Sequence, residues 1–215
     1  MLEESDLEEL RSRLKNEFSG YRELAGGKNY RYHHLVAVHR YVKALMEKEE
    51  LEREEFDERV VEVAALFHDI GRKEDIEDGY MDPFEGHEGH AGTGEELVAE
   101  YVEDFLTAEQ LEKVERVIGN HHSAPETVEG KILQDADRLG KFGTWDIWRM
   151  IHYGSEKERE MPEMFEYFWD TAMQRYHDEL PEFHFEVSRR VAKERMIRYQ
   201  DTMKRIEEEY FGDDI

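Results

Sequence analysis

Val60-Val61-Glu62-Val63-Ala64-Ala65-Leu66-Phe67-His68-Asp69-Ile70-Gly71 is the stretch on which the fold turns. From Val60 to Phe67 only Glu62 is polar, which is too apolar all round for a surface helix. The segment from about Arg59 to Ile70 therefore reads as a helix at the centre of a core. An imidazole and a carboxylate side by side at the buried end of such a helix are costly unless something pairs with them. A divalent metal ion is the most economical partner, because His nitrogen and Asp oxygen are ordinary ligands of Zn, Mn or Fe.

Outward from this helix, nearly everything reads as helix. There is no long Val/Ile/Thr alternation, and Pro83, Pro125, Pro162 and Pro181 fall at connections. Ser5-x-x-Glu8 reads as a capping box opening a helix from Ser5 to Phe18. A loop from Gly20 to Tyr32 precedes a helix from His33 to Leu51, and Gly71 to Gly89 is loop-like. Leu97 to Phe105 marks the next helix, and Thr107-x-x-Gln110 caps another that runs to His121. Further helices are expected over Gly130 to Phe142 and Glu182 to Tyr210. The stripe Met161, Met164, Phe165, Phe168, Trp169, Ala172, Met173 and Tyr176 has helical spacing and reads as core rather than as a cofactor box. The pattern predicts one all-α domain. It comprises an N-terminal helix and loop (1–28), a core (29–142) and C-terminal helices packed on that core (143–215).

Composition narrows the function. The chain of 215 residues has a net charge of −25 and no cysteine, so disulfides and thiolate metal sites are excluded and any metal must use His, Asp or Glu. So acidic a surface repels phosphate backbones at long range, which weighs against duplex nucleic acid as a partner. A small anionic substrate stays compatible, since bound cations and a few Arg or Lys reverse the local field. No apolar run is long enough to span a membrane, and the acidic start Met1-Leu2-Glu3-Glu4 is unlike a secretion signal. The cytoplasm is the expected compartment.

Counting about 100° per residue places the polar suspects on their helices. His34 falls on the centre of the Val38/Val42/Leu45 stripe, whereas His33 lies near its edge. His121 is in line with Val114 and Ile118, with His122 displaced toward the edge. His90 shares a face with Leu97 and Tyr101 if a helix begins there, and His87 is less constrained. Asp135 and Asp137 flank the Ile132/Ala136/Leu139 stripe on opposite sides, and periodicity does not choose between them. Taken singly, an inward histidine is more often a hydrogen-bonded core residue, and an acidic pair is more often solvated. Taken together, His34, His68, Asp69, His90, His121 and Asp137 come from five segments. One site with one or two metal ions satisfies them at once, as helical bundles commonly arrange.

The order His, His-Asp, His, His, Asp resembles the HD-domain superfamily of metal-dependent phosphohydrolases. His34-Leu35-Val36-Ala37-Val38 is similar to the first motif, and Ala64 to Gly71 to the central one, with Arg72 following. His90-x-x-x-Gly94 and Ile118-x-x-His121 resemble two optional motifs, and Lys131 to Leu139 the last. The tail from Phe183 to Phe211 is similar to small stand-alone bacterial and archaeal members. The resemblance implies a helical HD-domain bundle with a C-terminal helical extension. It also implies that His34, His68, Asp69 and Asp137 hold one divalent ion, and it is this resemblance that selects Asp137 over Asp135. His90 and His121, with His122 as a further candidate, would hold a second ion bridged by Asp69, or act as acid and phosphate ligands. On this reading Asp69, His90 and His121 carry the chemistry.

Arg72, Arg138 and Lys141 are the expected phosphate contacts. Glu88 reads as a solvated loop residue rather than as a base. The loop from Asp75 to Gly89 should border the pocket and help to set substrate choice. The metal is one or two of Mn, Mg, Fe, Co, Ni or Zn, and the substrate a small phosphorylated metabolite or nucleotide. A homo-oligomer is an open expectation. The competing readings are a dinuclear-iron oxygenase of the same fold, a single-strand nuclease, and a metal-binding module without turnover.

Overall fold

The computed structural model describes residues 1–24, 26–73 and 89–215. They form two compact units, Met1–Gly140 and Lys141–Ile215. Most of the expected pocket-bordering loop, with His87 and Glu88, lies outside the described residues. The architecture is all-α, with one two-stranded ribbon among the described residues. No helix among them is long and apolar enough to cross a membrane.

In the first unit, α1 (Glu4–Glu17) is followed by β1 (Arg22–Glu23), β2 (Gly27–Lys28) and α2 (Tyr30–Met46). Then come α3 (Glu58–Phe67), α4 (His90–Leu97), α5 (Ala99–Val102), α6 (Ala108–Gly119) and α7 (Val128–Leu139). Helix α3 is central, as its composition requires. It packs against α2, α6 and α7 and touches α1, and every residue from Val60 to Phe67 is buried. Each large apolar side chain so buried contributes about 1.5–3 kcal/mol. The start of α3 is set by Asp57, whose carboxylate accepts from the Arg59 and Val60 N–H groups. Thr107 and Gln110 form the expected capping box of α6, and Thr127 caps α7 by accepting from the Gly130 N–H.

Two expectations for the N-terminal segments are corrected. The Ser5 capping box does not form. Helix α1 begins one residue earlier, after Glu3, without a side-chain cap, and Glu4 and Asp6 in its first turn favour the positive end of the helix dipole. The stretch from Gly20 to Tyr32 is more than a loop. Arg22 pairs with Lys28 and Glu23 with Gly27 in an antiparallel ribbon. Asn29 then adopts the left-handed conformation (φ 58°), which an Asn side chain tolerates. Its side chain accepts from the Gly20 N–H at 2.8 Å, and α2 starts at Tyr30, earlier than periodicity indicates. The same helix ends at Met46, and Leu51 is buried in a separate 3-10 turn.

The second unit contains α8 (Asp146–Glu156), α9 (Met161–Tyr167), a π turn (Phe168–Ala172), α10 (Met173–Glu179) and α11 (Glu186–Phe211). Of the Met/aromatic stripe, Met164, Phe165, Phe168, Ala172, Met173 and Tyr176 are buried, as expected of core. Met161 and Trp169 are exposed instead. Trp169 lies in the wider π turn, which shifts it off the line that a 3.6-residue period would keep, and it donates its indole N–H to Glu207 at 2.8 Å; Met161 is the first residue of α9.

Candidate metal centre

Helix α2 brings in His34 and leaves His33 exposed. The end of α3 delivers His68 and Asp69, the start of α4 His90, the residues after α6 His121, and α7 Asp137. All six are buried. Asp69 stands at the middle and divides its two oxygens. Its Oδ2 lies 3.7 Å from His34 Nε2 and 3.6 Å from His68 Nε2. Its Oδ1 lies 3.4 Å from His90 Nε2 and 3.7 Å from His121 Nε2. Asp137 Oδ1 is 3.0 Å from His34 Nε2 and 3.7 Å from His68 Nε2. His122 is exposed, yet its Nε2 lies 2.8 Å from that of His90. Two sets therefore share Asp69: His34, His68 and Asp69 on one side, and Asp69, His90, His121 and His122 on the other.

The tautomers follow from the backbone. His68 Nδ1 donates to the Ala65 carbonyl at 3.1 Å and His121 Nδ1 to the Ile118 carbonyl at 2.6 Å. A carbonyl can only accept, so in each neutral ring Nε2 keeps its lone pair and faces inward. These two Nε2 atoms are fully buried and have no hydrogen-bond partner among the described residues. Contacts of 3.6–3.7 Å to carboxylates are too long to satisfy them. Metal-bound histidines characteristically show this arrangement, with the second nitrogen tied to a carbonyl and the first left for the ion.

Electrostatics agree at Asp69, His34 and His121. Burial pushes the Asp69 carboxyl up, but the Arg31 guanidinium and His68 overturn this and hold it well below the usual range. Burial pushes the His34 and His121 imidazoles down, so both favour the neutral, ligating form. For His68 burial acts the same way, but the Asp69 and Asp137 carboxylates outweigh it and raise the imidazole. The side chains present thus fit a divalent cation: buried carboxylates, inward lone pairs, and a shared Asp between two imidazole sets.

Of the expected phosphate contacts, Arg72 reaches the centre, with Nε 3.7 Å from Asp69 Oδ1. Arg138 stands beside Asp135 on its own helix, at 4.0 Å. Lys141 belongs to the second unit, where its carbonyl accepts from the Tyr176 hydroxyl. Asp135 is buried as completely as Asp137, against the expectation that an acidic pair is solvated.

Sequence reasoning missed three contributors, Arg31, Glu23 and Gly71. Arg31, three residues before His34 and hence on the same face of α2, is buried with Nη1 on Asp69 Oδ2 and its other nitrogens on Glu23. Helical spacing could have found Arg31, whereas nothing in the sequence points to Glu23. The third omission concerns Gly71. A Cβ there would lie 2.2 Å from the His90 carbonyl oxygen and 2.7 Å from the Gly94 nitrogen. Only a glycine lets the turn after the His-Asp pair approach α4 closely enough to set His90 against Asp69.

These features define an all-α protein with a buried His/Asp cluster able to hold a divalent metal. A family model, the HD domain, matches residues 31–140, more than half of the chain, and the protein belongs to the HD-domain family. Solved structures similar to it share the fold over nearly the whole chain. A predicted HD-superfamily hydrolase from an uncultured Thermotogales bacterium is 22% identical, with a TM-score of 0.64, covering 95% of this chain and 92% of that one. The Lin1889 protein from Listeria innocua is 23% identical, with a TM-score of 0.62 and coverage of 95% and 97%. Bacillus subtilis YpgQ in complex with ADP is 18% identical, with a TM-score of 0.65 and coverage of 95% of each chain. No curated protein matches the chain.

Proposed function

We propose that this protein is a metal-dependent phosphohydrolase that cleaves a phosphate ester or anhydride of a small nucleotide or related metabolite. The observation that carries the reading is the pair of buried Nε2 atoms of His68 and His121, without a hydrogen-bond partner among the described residues, on either side of Asp69. His34, His68, Asp69 and Asp137 would hold one divalent ion, and His90 and His121, with His122 at the solvent edge, would bind a second or hold the phosphoryl group. A bound ion supplies a water of lowered pKa and a Lewis acid for a phosphoryl oxygen.

The chain's own residues do the rest. Asp69 holds the two imidazole sets in register. The Ala65 and Ile118 carbonyls fix the ring orientations of His68 and His121. Arg72 offers a guanidinium for phosphate oxygens at the edge of the cluster. YpgQ, a fold relative, has been solved with ADP, which supports a nucleotide among the first substrates to try. A small phosphorylated ligand, rather than duplex nucleic acid or a membrane, also suits the charge of −25.

The test is metal analysis of the purified protein together with a panel of nucleotides and phosphate esters, assayed with Mn, Mg, Co, Ni, Zn and Fe. Phosphate release with at least one metal, lost in Asp69→Asn, is the expected result. Full activity in Asp69→Asn would overturn the reading. So would a coloured, iron-loaded protein that consumes oxygen and leaves the panel untouched, in favour of an oxygenase.

A further inference from the structure

We propose that Glu23 is a positioning residue of the metal centre, acting through Arg31 on Asp69; this rests on Asp69 being the shared metal ligand. Glu23 lies on β1, outside the five segments that supply the His/Asp cluster. It is buried, as is Arg31. The Arg31 guanidinium spends Nε (3.2 Å) and Nη2 on the two Glu23 oxygens and presents Nη1 to Asp69 Oδ2. A planar fork held at two points cannot swing, so the third contact is fixed in direction.

The register of the ribbon fixes Glu23 in turn. Glu23 pairs with Gly27, and the Gly26 N–H donates to the Glu23 carbonyl at 3.3 Å. The turn is seated on the first residue of α2, because a Cβ at Gly26 would fall 2.0 Å from the Tyr30 ring.

This relay has two effects on Asp69. The first is orientation. With Oδ2 held by Arg31 beside His34 and His68, Oδ1 is turned to His90 and His121. The second is charge. An arginine is always protonated in a protein, and a buried positive charge against a metal-binding carboxylate opposes a divalent cation. Glu23 supplies the opposite charge on the far side of the same guanidinium, so the pair orients Asp69 without repelling the ion.

The test is Mn²⁺ titration of the full chain, followed by the electron paramagnetic resonance signal of free Mn²⁺, with thermal melts in parallel. Glu23→Gln keeps one of the two acceptor oxygens, replaces the other by an amide NH2 and removes the charge. It is expected to weaken Mn²⁺ binding by about tenfold or more, as loss of an outer partner of a metal ligand does. In Glu23→Gln/Arg31→Met the uncancelled charge is gone but the contact that orients Asp69 is lost with it, so affinity is expected to recover only in part, by about threefold over the single variant. A merely structural role for Glu23 would not produce that recovery. Wild-type affinity in Glu23→Gln, or a double variant as weak as the single one, overturns the proposal. Should Glu23→Gln not fold, the double variant decides alone, and binding as weak as that of Asp69→Asn overturns it. Wild-type Mn²⁺ binding in Asp69→Asn would instead bring down the metal centre itself, which separates the two failures.

Discussion

Each unit of this protein buries an aspartate, and the two are treated in opposite ways. Asp146, at the start of α8, is surrounded by donors: the Tyr176 hydroxyl at 2.9 Å, Arg149 Nη1 at 3.1 Å and Arg175 Nη2 at 3.6 Å. Its neighbours satisfy it, and it ties α8 to α10. Asp69 has the Arg31 guanidinium on Oδ2, Arg72 Nε 3.7 Å from Oδ1, and four imidazole nitrogens at 3.4–3.7 Å, two of which carry inward lone pairs with no donor among the described residues. A carboxylate ringed by donors is a structural tie. A carboxylate that faces imidazole lone pairs suits a cation between them.

The sharpest break in that comparison comes from neutralising Asp69. Asp69→Asn is expected to lower phosphohydrolase turnover by about a thousandfold or more, roughly 4 kcal/mol of transition-state stabilisation. The melting temperature of the metal-free protein should change little, because Arg31 keeps Glu23. A metal-free melt that collapses in Asp69→Asn would make Asp69 a structural tie after all. Asp146→Ala should do the reverse. Removing one partner of a buried ion pair leaves Arg149, Arg175 and the Tyr176 hydroxyl facing a gap, at a cost of about 3 kcal/mol in urea unfolding. A loss below about 1 kcal/mol would show that those donors find water instead.

A smaller effect is expected at Gly71. Gly71→Ala puts a methyl 2.2 Å from the His90 carbonyl oxygen, and since that atom is backbone, α4 must move. Overpacking of this kind costs about 1–3 kcal/mol, and His90 should be displaced from Asp69 with it. The expected signature is a Mn²⁺ titration in which the ion associated with His90 and His121 is weakened while the one associated with His34 and His68 is kept. Equal weakening of both, or of neither, would separate Gly71 from the placement of His90.

How much of this was legible before the structure depends on the kind of signal. The central position of α3 followed from an apolar run that no surface helix could carry, and His34 over His33 followed from 100° steps along one stripe. The Thr107/Gln110 box was readable because both halves lie within one turn. Ser5-x-x-Glu8 has the same letters, yet the helix starts a residue sooner, since a cap depends on where the chain enters as well as on residue type. Periodicity was silent on Asp135 against Asp137, because both are buried, one beside Arg138 and the other beside His34. Glu23 and Gly71 act through contacts between segments distant from one another, and no local pattern marks such contacts. Glu62, the single polar residue within the apolar run, is explained only by tertiary partners: His39 at 3.7 Å and the Leu2 N–H at 2.6 Å.

Asp57 extends the comparison to a third carboxylate, half-exposed and satisfied by donors. It accepts from the Arg59 and Val60 N–H groups at 3.0 and 3.3 Å and from Gln110 Nε2 at 3.0 Å. Partial burial pushes its carboxyl up, but these hydrogen bonds win and hold it below its ordinary value. A carboxyl depressed in the folded state contributes stability that is fully present above the unfolded value of about 3.9. That contribution is lost as the pH falls through the lower native value. Asp57→Ala is therefore expected to cost about 1 kcal/mol at neutral pH, and the gap from wild type should close as both are unfolded at progressively lower pH. A gap that stays constant into strong acid would mean that Asp57 caps α3 without its charge, and the donors around it would then be doing for a neutral carboxyl what Arg149 and Arg175 do for an ionised one.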